Sequence, residues 1–429
     1  MSRPRMTVGL VAVAAVMLAG CSSSNGSTTA PSVAVSPVTP TSTAAPATPA
    51  VAHGAESPIG SVPWPSVGQG WMLALWSPIT PTMPGASPAP NEPSRETAST
   101  TLYLVDPQGN RYPITTFAPE SDPQVVDWSG DGNHALIRTE KYEPGASSSP
   151  LVSIDLHTGT QTPLPITGHV RYTRPDGEAL LIATDNDRDK PGTLKRVDLA
   201  GNEQQSYPTD HLGGAGHFSG GYLQSLDGTQ LVLSTANLKK DGVTKSDNSL
   251  VVMGNDGKII RTLKSPMPKA ECSPLRWWNS TVILAHCSND AGGQLWKVPV
   301  DGGPATALTA VNSGQGDDHG FSGDYGDGMA YELPSGTFLQ TAGACGTVHL
   351  SRLTPDMHTT QVKIPGVSDS IQLVGITGDK LLLSAQVGCG GTTSLLTYDP
   401  ATNTSTVLLG PPINGGGVTD AQLYPDQKS

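Results

Sequence analysis

The sequence predicts an all-β protein built from repeated pairs of hairpins. Of its 429 residues, 49 are Gly and 38 are Pro, whereas charged residues make up only 14%. Gly and Pro in these numbers punctuate strands and form turns, and the apolar runs between them are short and alternate with polar residues. A helical protein would carry more charge and fewer turn-forming residues.

Six copies of one hairpin lie along the chain, each with a tight turn between two apolar strands. The copy at residues 125–137 reads VVDWSGDGNHALI, and the other five begin at Val170, Tyr222, Leu275, Gly323 and Leu373. A second hairpin follows each copy, beginning at Leu151, Leu194, Leu250, Leu295, Val348 and Leu395. Four strands that recur every roughly 50 residues are typical of the blades of a β-propeller.

The two ends of the chain supply one more repeat. Residues 70–77, GWMLALWS, read as a second strand with no first strand before it, and the hairpin from Thr101 completes that repeat. Residues 418–426, VTDAQLYPD, read as a first strand with nothing after it. We therefore expect a seven-bladed β-propeller closed by a C-terminal strand, with six or eight blades as the alternatives.

The Asp-Gly turns after an aromatic residue resemble the repeats of TolB-like propellers. They read WSGDG at residues 128–132, Pro-Asp-Gly at 175–177 and Asp-Gly at 227–228, whereas the later repeats have Asn-Ser at 279–280 and Gly-Asp at 378–379. The resemblance covers most of residues 70–425. It implies a periplasmic or surface-attached protein whose propeller is a platform for binding other proteins, and it carries over no binding residue.

The N-terminus reads as a lipoprotein signal peptide. Arg3 and Arg5 precede an apolar run at residues 6–20, which is shorter than the roughly 20 residues of a membrane span. The run ends in Leu-Ala-Gly-Cys, which resembles the lipobox of bacterial lipoproteins and implies that Cys21 is acylated. We expect residues 1–20 to be the signal peptide, and the mature protein to be anchored by lipid to the extracytoplasmic face of the cell membrane.

The segment that follows Cys21 predicts a disordered tether. Residues 21–62 are rich in Ser, Thr, Pro, Ala and Val and contain no aromatic residue, so they bury too little apolar surface to offset their chain entropy. This bias resembles that of actinobacterial lipoproteins. We expect the propeller to occupy residues 63–429 as a monomer.

The long connections are predicted to share one face of the propeller. If the strands of each blade run from hub to rim as a, b, c and d, the a–b and c–d turns lie on one face and the b–c and d–a loops on the other. Every a–b and c–d turn is short. The long connections are residues 78–99, 141–149, 185–192 and 236–248 between strands b and c, and residues 210–221 and 310–322 between blades. Elaborated loops on a rigid scaffold favour a binding function for that face.

Candidate ligand-binding residues occur in these loops. Residues 314–328 gather Asp317, Asp318, His319, Asp324 and Asp327 in a Gly-rich string, and His211 and His217 flank a second Gly-rich loop. Carboxylates at this density could hold calcium, but their spacing matches no known calcium loop, and the string equally suits a polar surface loop. We therefore expect no obligatory cofactor.

Four further cysteines predict two disulfide bonds, because an exported chain with an even number of cysteines tends to pair them. Cys272 and Cys287 lie symmetrically about the turn at residues 279–280, so they face each other across a hairpin. Cys345 and Cys389 lie nearly one repeat apart, in equivalent loops of adjacent blades. Cys272–Cys287 with Cys345–Cys389 is the preferred pairing, and Cys287–Cys345 remains an alternative.

Two functions fit these patterns. The first is a binding or scaffold module that holds a protein or a cell-envelope glycan on the long-loop face. The alternative is a propeller enzyme, lactonase- or dehydrogenase-like, with a metal or cofactor at the channel mouth. The sequence contains no Gly-x-Ser-x-Gly elbow, no His-Glu-x-x-His helix and no phosphate-binding loop. A propeller enzyme would bring carboxylates and amides from several blades to the channel, whereas this sequence has one acidic loop. The net charge of −12 excludes nucleic acid as a partner held by bulk electrostatics.

Overall fold

The computed structural model describes residues 48–80, 93–94, 96–119, 121–143, 146–187, 190–212, 216–236, 249–314, 327–343, 348–387 and 393–425. These residues form seven sheets, each built on four antiparallel strands, and one sheet gains a short fifth strand that pairs in parallel at its outer edge. The predicted seven-bladed propeller is therefore confirmed. No helix among the described residues is long and apolar enough to cross a membrane.

The blades follow the chain order, and in each of them four strands run from the inner to the outer edge of the sheet. Blade 1 contains β30 (Gly417–Leu423), β2 (Met72–Ser77), β3 (Thr100–Val105) and β4 (Arg111–Phe117). Blade 2 contains β5 (Ser121–Trp128), β6 (His134–Glu143), β8 (Leu151–Asp155) and β9 (Gln161–Leu164), with β7 (Ala146–Ser148) paired to β6. Blade 3 contains β10 (His169–Tyr172), β11 (Ala179–Ala183), β12 (Leu194–Asp198) and β13 (Glu203–Ser206).

The remaining blades repeat the same order. Blade 4 contains β14 (His217–Gln224), β15 (Gln230–Ala236), β16 (Leu250–Gly254) and β17 (Ile259–Leu263). Blade 5 contains β18 (Glu271–Trp277), β19 (Val282–Asn289), β20 (Gly292–Pro299) and β21 (Thr306–Ala307). Blade 6 contains β22 (Asp327–Leu333), β23 (Gly336–Ala342), β24 (Val348–Leu353) and β25 (Thr359–Gln361). Blade 7 contains β26 (Val367–Thr377), β27 (Lys380–Val387), β28 (Thr393–Asp399) and β29 (Thr404–Leu409).

Serine and aspartate side chains fix the a–b turns that mark the repeat. In blade 2, Ser129 Oγ accepts a hydrogen bond from the backbone nitrogen of His134 at 2.9 Å and donates one to Asp131 Oδ1. Blade 4 repeats the arrangement with Ser225 and Asp227. The side chains thus satisfy backbone groups that the tight turn leaves unpaired, which explains why Ser-x-Asp-Gly marks this position in both blades.

The core lies between neighbouring blades. Between blades 2 and 3, for example, Leu136 and Leu151 pack in one buried cluster with Val170 and Leu180. The apolar side chains of these neighbouring sheets thus pack against each other and exclude water.

The last part of the predicted tether packs against the propeller. The predicted tether includes residues 48–62, but β1 (Ala50–Val51) pairs in parallel with β29, Glu56 lies 3.1 Å from Arg111, and Val62 is buried in the core of blades 1 and 2. Two short 3-10 segments, Ile59–Ser61 and Trp64–Ser66, follow β1. The outer strand of blade 7 offers unpaired backbone groups, and this segment covers them. The predicted signal peptide and residues 21–47 lie outside the described residues.

Candidate functional site

The strands that flank the long connections place both ends of each connection on one face, as the sequence predicts. All a–b and c–d turns of the described blades are short, and they define what we call the turn face. The b–c and d–a connections start and finish on the opposite, long-loop face, whose described residues include 78–80, 96–99 and 308–314.

Two of the predicted loops have different limits in the structure. The connection at residues 210–221 ends earlier, because β14 begins at His217 and contains a bulge before Tyr222. The connection at residues 141–149 is partly a hairpin, because β6 extends to Glu143 and pairs with β7.

A cleft of about 320 Å³ lies on the long-loop face where blades 1, 2 and 7 meet. Its polar lining consists of Ser77, Thr100, Ser121, Asp122, Thr393 and Thr419. Each of these residues lies at or next to the long-loop end of its strand. The cleft therefore forms where the C-terminal strand closes the ring.

Two of the hydroxyl groups are held by the strands that close the ring. Thr393 Oγ1 donates a hydrogen bond to the carbonyl of Val418, and Thr419 Oγ1 donates one to the carbonyl of Leu75 at 3.4 Å. A hydroxyl that donates to the backbone keeps its lone pairs for another donor. Asp122 is exposed beside these groups. The cleft thus offers acceptors to the N–H and O–H groups of a ligand.

The same face carries an exposed His–Asp pair at blade 3. His169 Nε2 lies 3.1 Å from Asp185 Oδ2, and more than half of each side chain is exposed. His169 begins β10 and Asp185 follows β11 in the b–c connection, so both residues lie at the long-loop end of blade 3. Asp185 lies in a connection that the sequence predicts to be long, but its partner His169 is not predictable from local pattern because it belongs to another strand.

The structure separates the two histidines that flank the predicted Gly-rich loop. His211 has a side chain that is 91% exposed and lies 3.7 Å from Asp210. His217 is half-buried, and its Nε2 atom is buried without a hydrogen-bond partner among the described residues. They therefore occupy different environments and do not form a common site in the described part of the chain.

Of the candidate ligands in the acidic string, Asp327 alone is among the described residues. Asp317, Asp318, His319 and Asp324 lie outside the described residues. Asp327 begins β22 and is buried, and it accepts a hydrogen bond from Thr341 Oγ1 at 2.9 Å. Its carboxylate is thus used inside blade 6, which corrects its grouping with the surface carboxylates. Within the described ranges, no three His, Cys, Asp or Glu side chains lie close enough to hold a metal ion.

Cys272 and Cys287 are disulfide-bonded, as the hairpin register predicts. They are direct partners in the pairing of β18 with β19, and both are buried. Cys345 and Cys389, like the lipidation candidate Cys21, lie outside the described residues, so their bond remains a prediction.

Comparison with known proteins finds similarity only among solved structures. No protein-family model matches the chain, and no curated protein sequence matches it. The β-propeller domain of the Trilobed protease from Pyrococcus furiosus is 14% identical, with a TM-score of 0.46 over 73% of this chain and 88% of that chain. TolB from Acinetobacter baumannii is 12% identical, with a TM-score of 0.40 over 83% of this chain and 67% of that chain.

A third similar structure belongs to a longer enzyme. Prolyl oligopeptidase B from Galerina marginata is 10% identical, with a TM-score of 0.48, and the match covers 74% of this chain and 47% of that chain. At such identities the likeness concerns the fold alone. The chain is a β-propeller that resembles TolB and the propeller domains of peptidases.

Proposed function

We propose that this protein is a lipid-anchored binding module that holds a protein or cell-envelope glycan on its long-loop face. The observation that supports this most directly is the distribution of connections, since every long one begins and ends on that face and every described turn on the other face is short. Neutral insertion of residues would have no reason to spare one face.

The cleft at the meeting of blades 1, 2 and 7 gives this face a recognition chemistry. Its five hydroxyl residues and Asp122 suit a ligand rich in amide or hydroxyl groups, such as a peptide backbone or a sugar. The carboxylate of Asp122 would repel a ligand that carries several negative charges.

The anchor is supported by the sequence at residues 18–21. A signal core that ends in Leu-Ala-Gly-Cys and is followed by a polar, Pro-rich segment supports attachment through Cys21 to the outer face of the cytoplasmic membrane. A propeller held there would meet partners of the cell envelope.

Loop replacement tests the proposal. Residues 81–92 and residues 315–326 are each replaced by a short Gly-Ser linker, separately and together, and partners are captured by cross-linking in envelope preparations of the producing cell. We expect the captured partner to be lost from the double variant while thermal unfolding stays nearly unchanged. Asp301→Lys, in an exposed c–d turn, is the matched control and should keep the partner. A double variant that retains it would contradict the assignment of the face.

A further inference from the structure

The turn face carries an arginine-lined cavity that the proposed function does not use. It measures about 250 Å³ and lies where the inner strands of blades 3, 4 and 5 end, with Pro425 completing its wall. Arg171, Arg174 and Arg276 line it together with Gln224. Three guanidinium groups at one cavity are unexpected in a chain of net charge −12.

One buried carboxylate neutralises part of this positive charge. Asp127 is fully buried, and its Oδ1 atom lies 2.8 Å from Arg174 Nη2 and 3.9 Å from Arg171 Nη1. Its Oδ2 atom accepts a hydrogen bond from the backbone nitrogen of Tyr172 at 2.8 Å. Asp127 lies behind the wall of the cavity, and no acidic residue is among the described residues that line it. The cavity therefore keeps an excess of positive charge.

Two buried donors at the cavity have no partner. Arg174 Nη1 and Gln224 Nε2 are buried without a hydrogen-bond acceptor among the described residues. Gln224 Oε1 accepts a hydrogen bond from the backbone nitrogen of Arg174 at 2.8 Å, which fixes the amide and leaves Nε2 as a donor. A buried donor without an acceptor is costly, so such a pair favours a bound acceptor.

The third arginine is held rigidly at the edge of the cavity. Arg276 Nη1 donates a hydrogen bond to the carbonyl of Ala330 at 3.2 Å, and its guanidinium lies 4.2 Å from the ring centre of Tyr331. Burial lowers the pKa of Arg276, but a guanidinium stays charged in proteins. Because these contacts already fix the side chain, the remaining N–H donors of Arg276 lose little conformational entropy when a ligand binds.

We propose that this cavity binds a small monocarboxylate with an apolar body. A planar carboxylate matches the fork of a guanidinium and supplies the acceptors that Arg174 and Gln224 lack. Leu223, Leu275 and Trp277 complete the lining with apolar surface, which suits an aliphatic group better than the fully hydrated oxygens of a phosphate. A volume of about 250 Å³ limits the ligand to a small molecule.

Calorimetric titration of the full-length protein tests the proposal with N-acetyl-leucine as the probe. N-acetyl-leucinamide, which lacks the charge, and inorganic phosphate are the comparison ligands. We expect the acid to bind and the amide to bind far more weakly. Equal binding of acid and amide, or tighter binding of phosphate, would overturn the proposal.

Gln224→Glu is the most informative variant. It keeps an oxygen that can accept from Arg174 but replaces the free donor by a negative charge, so affinity for the acid should fall by more than about tenfold. Gln108→Glu adds the same charge in an exposed turn of blade 1 and should leave binding unchanged. Unaltered binding by Gln224→Glu would overturn the assignment.

Two further variants keep the test decisive. If Gln224→Glu fails to fold, Arg171→Gln replaces it, because the Arg171 side chain is 56% exposed and reaches Asp127 only at 3.9 Å. We again expect weaker binding of the acid. Unchanged binding would count against the site. Asp426→Asn, which removes the carboxylate next to Pro425 without creating a new one, should bind as the unaltered protein does. Binding that appears only in this variant would assign the cavity to the protein's own chain and refute an external ligand.

Discussion

The Oδ2 atom of Asp420 accepts a hydrogen bond from the backbone nitrogen of Val125 at 2.7 Å. Asp420 lies in β30, the C-terminal strand that completes blade 1, and Val125 lies in the inner strand of blade 2. The bond therefore joins the last strand of the chain to the next blade, beside the point where the ring closes. Burial raises the pKa of Asp420, while its hydrogen bonds to the backbone act in the opposite direction.

The raised pKa of Asp420 makes stability fall with rising pH. Because the folded protein binds this proton more tightly than the unfolded chain, ionisation costs stability from the usual pKa of 3.8 up through the higher folded pKa. Asp420→Asn keeps an oxygen for Val125 without the charge. The melting temperature of the variant minus that of the wild type should increase as the pH rises through that window. Above the window this difference should stay constant. Thermal melts at constant ionic strength measure this, and a difference that does not vary with pH would contradict it.

Loss of the Asp127 carboxylate should destabilise the propeller. Asp127 accepts hydrogen bonds from Arg174 and Tyr172 and is fully buried, so Asp127→Ala leaves a mostly buried guanidinium without its partner. Breaking such a pair costs about 3–5 kcal/mol of unfolding free energy. Denaturant unfolding measures the loss. Asp256→Ala, which removes an exposed ion pair with Lys258, should be nearly neutral, and an equal effect of the two variants would show that burial is not the cause.

Removal of the disulfide should lower stability without changing the blade. The bond closes a loop with a sequence separation of 15, which corresponds to about 3 kcal/mol in the chain-entropy treatment. Cys272→Ala combined with Cys287→Ala should therefore unfold at lower denaturant concentration with the same strand content. Non-reducing peptide mapping gives the independent check, because free thiols at these positions would contradict the hairpin register. The same map tests the predicted Cys345–Cys389 bond.

The lipid anchor is tested at Cys21. A thioether cannot form on serine, so Cys21→Ser should release the mature chain into the medium or leave it unprocessed. Fractionation followed by mass spectrometry of the N-terminus measures both outcomes. A correctly cleaved Cys21→Ser protein that stays in the membrane would refute anchorage through this residue.

The sequence predicts the blade order because its signals are local. The Ser129–Asp131 turn and the alternation on either side of it lie within a few residues, and a tight turn between two apolar strands recurs in each repeat. The half-repeats at the two ends then have a single place to join. The disulfide between Cys272 and Cys287 follows from the same hairpin symmetry.

The features that the sequence does not reveal depend on contacts between distant residues. β1 is only Ala50–Val51, too short for any alternation, and its place is set by the free edge of β29. The cleft combines strand ends of three blades, whose hydroxyl residues look like ordinary surface positions in the sequence. For the arginine cavity a signal does exist, because Arg174 and Gln224 lie 50 residues apart, close to the repeat period.

Site-specific photo-cross-linking tests the central claim most directly, namely that the long-loop face binds the macromolecular partner. A photoreactive amino acid is placed at exposed Asp122 or Asp185 on the long-loop face, or at exposed Asn202 or Asp301 on the turn face. The four variants differ only in position, so each face serves as the control for the other. We expect adducts with an envelope protein or glycan from positions 122 and 185 and none from 202 and 301. Adducts formed only from the turn-face positions would contradict the account.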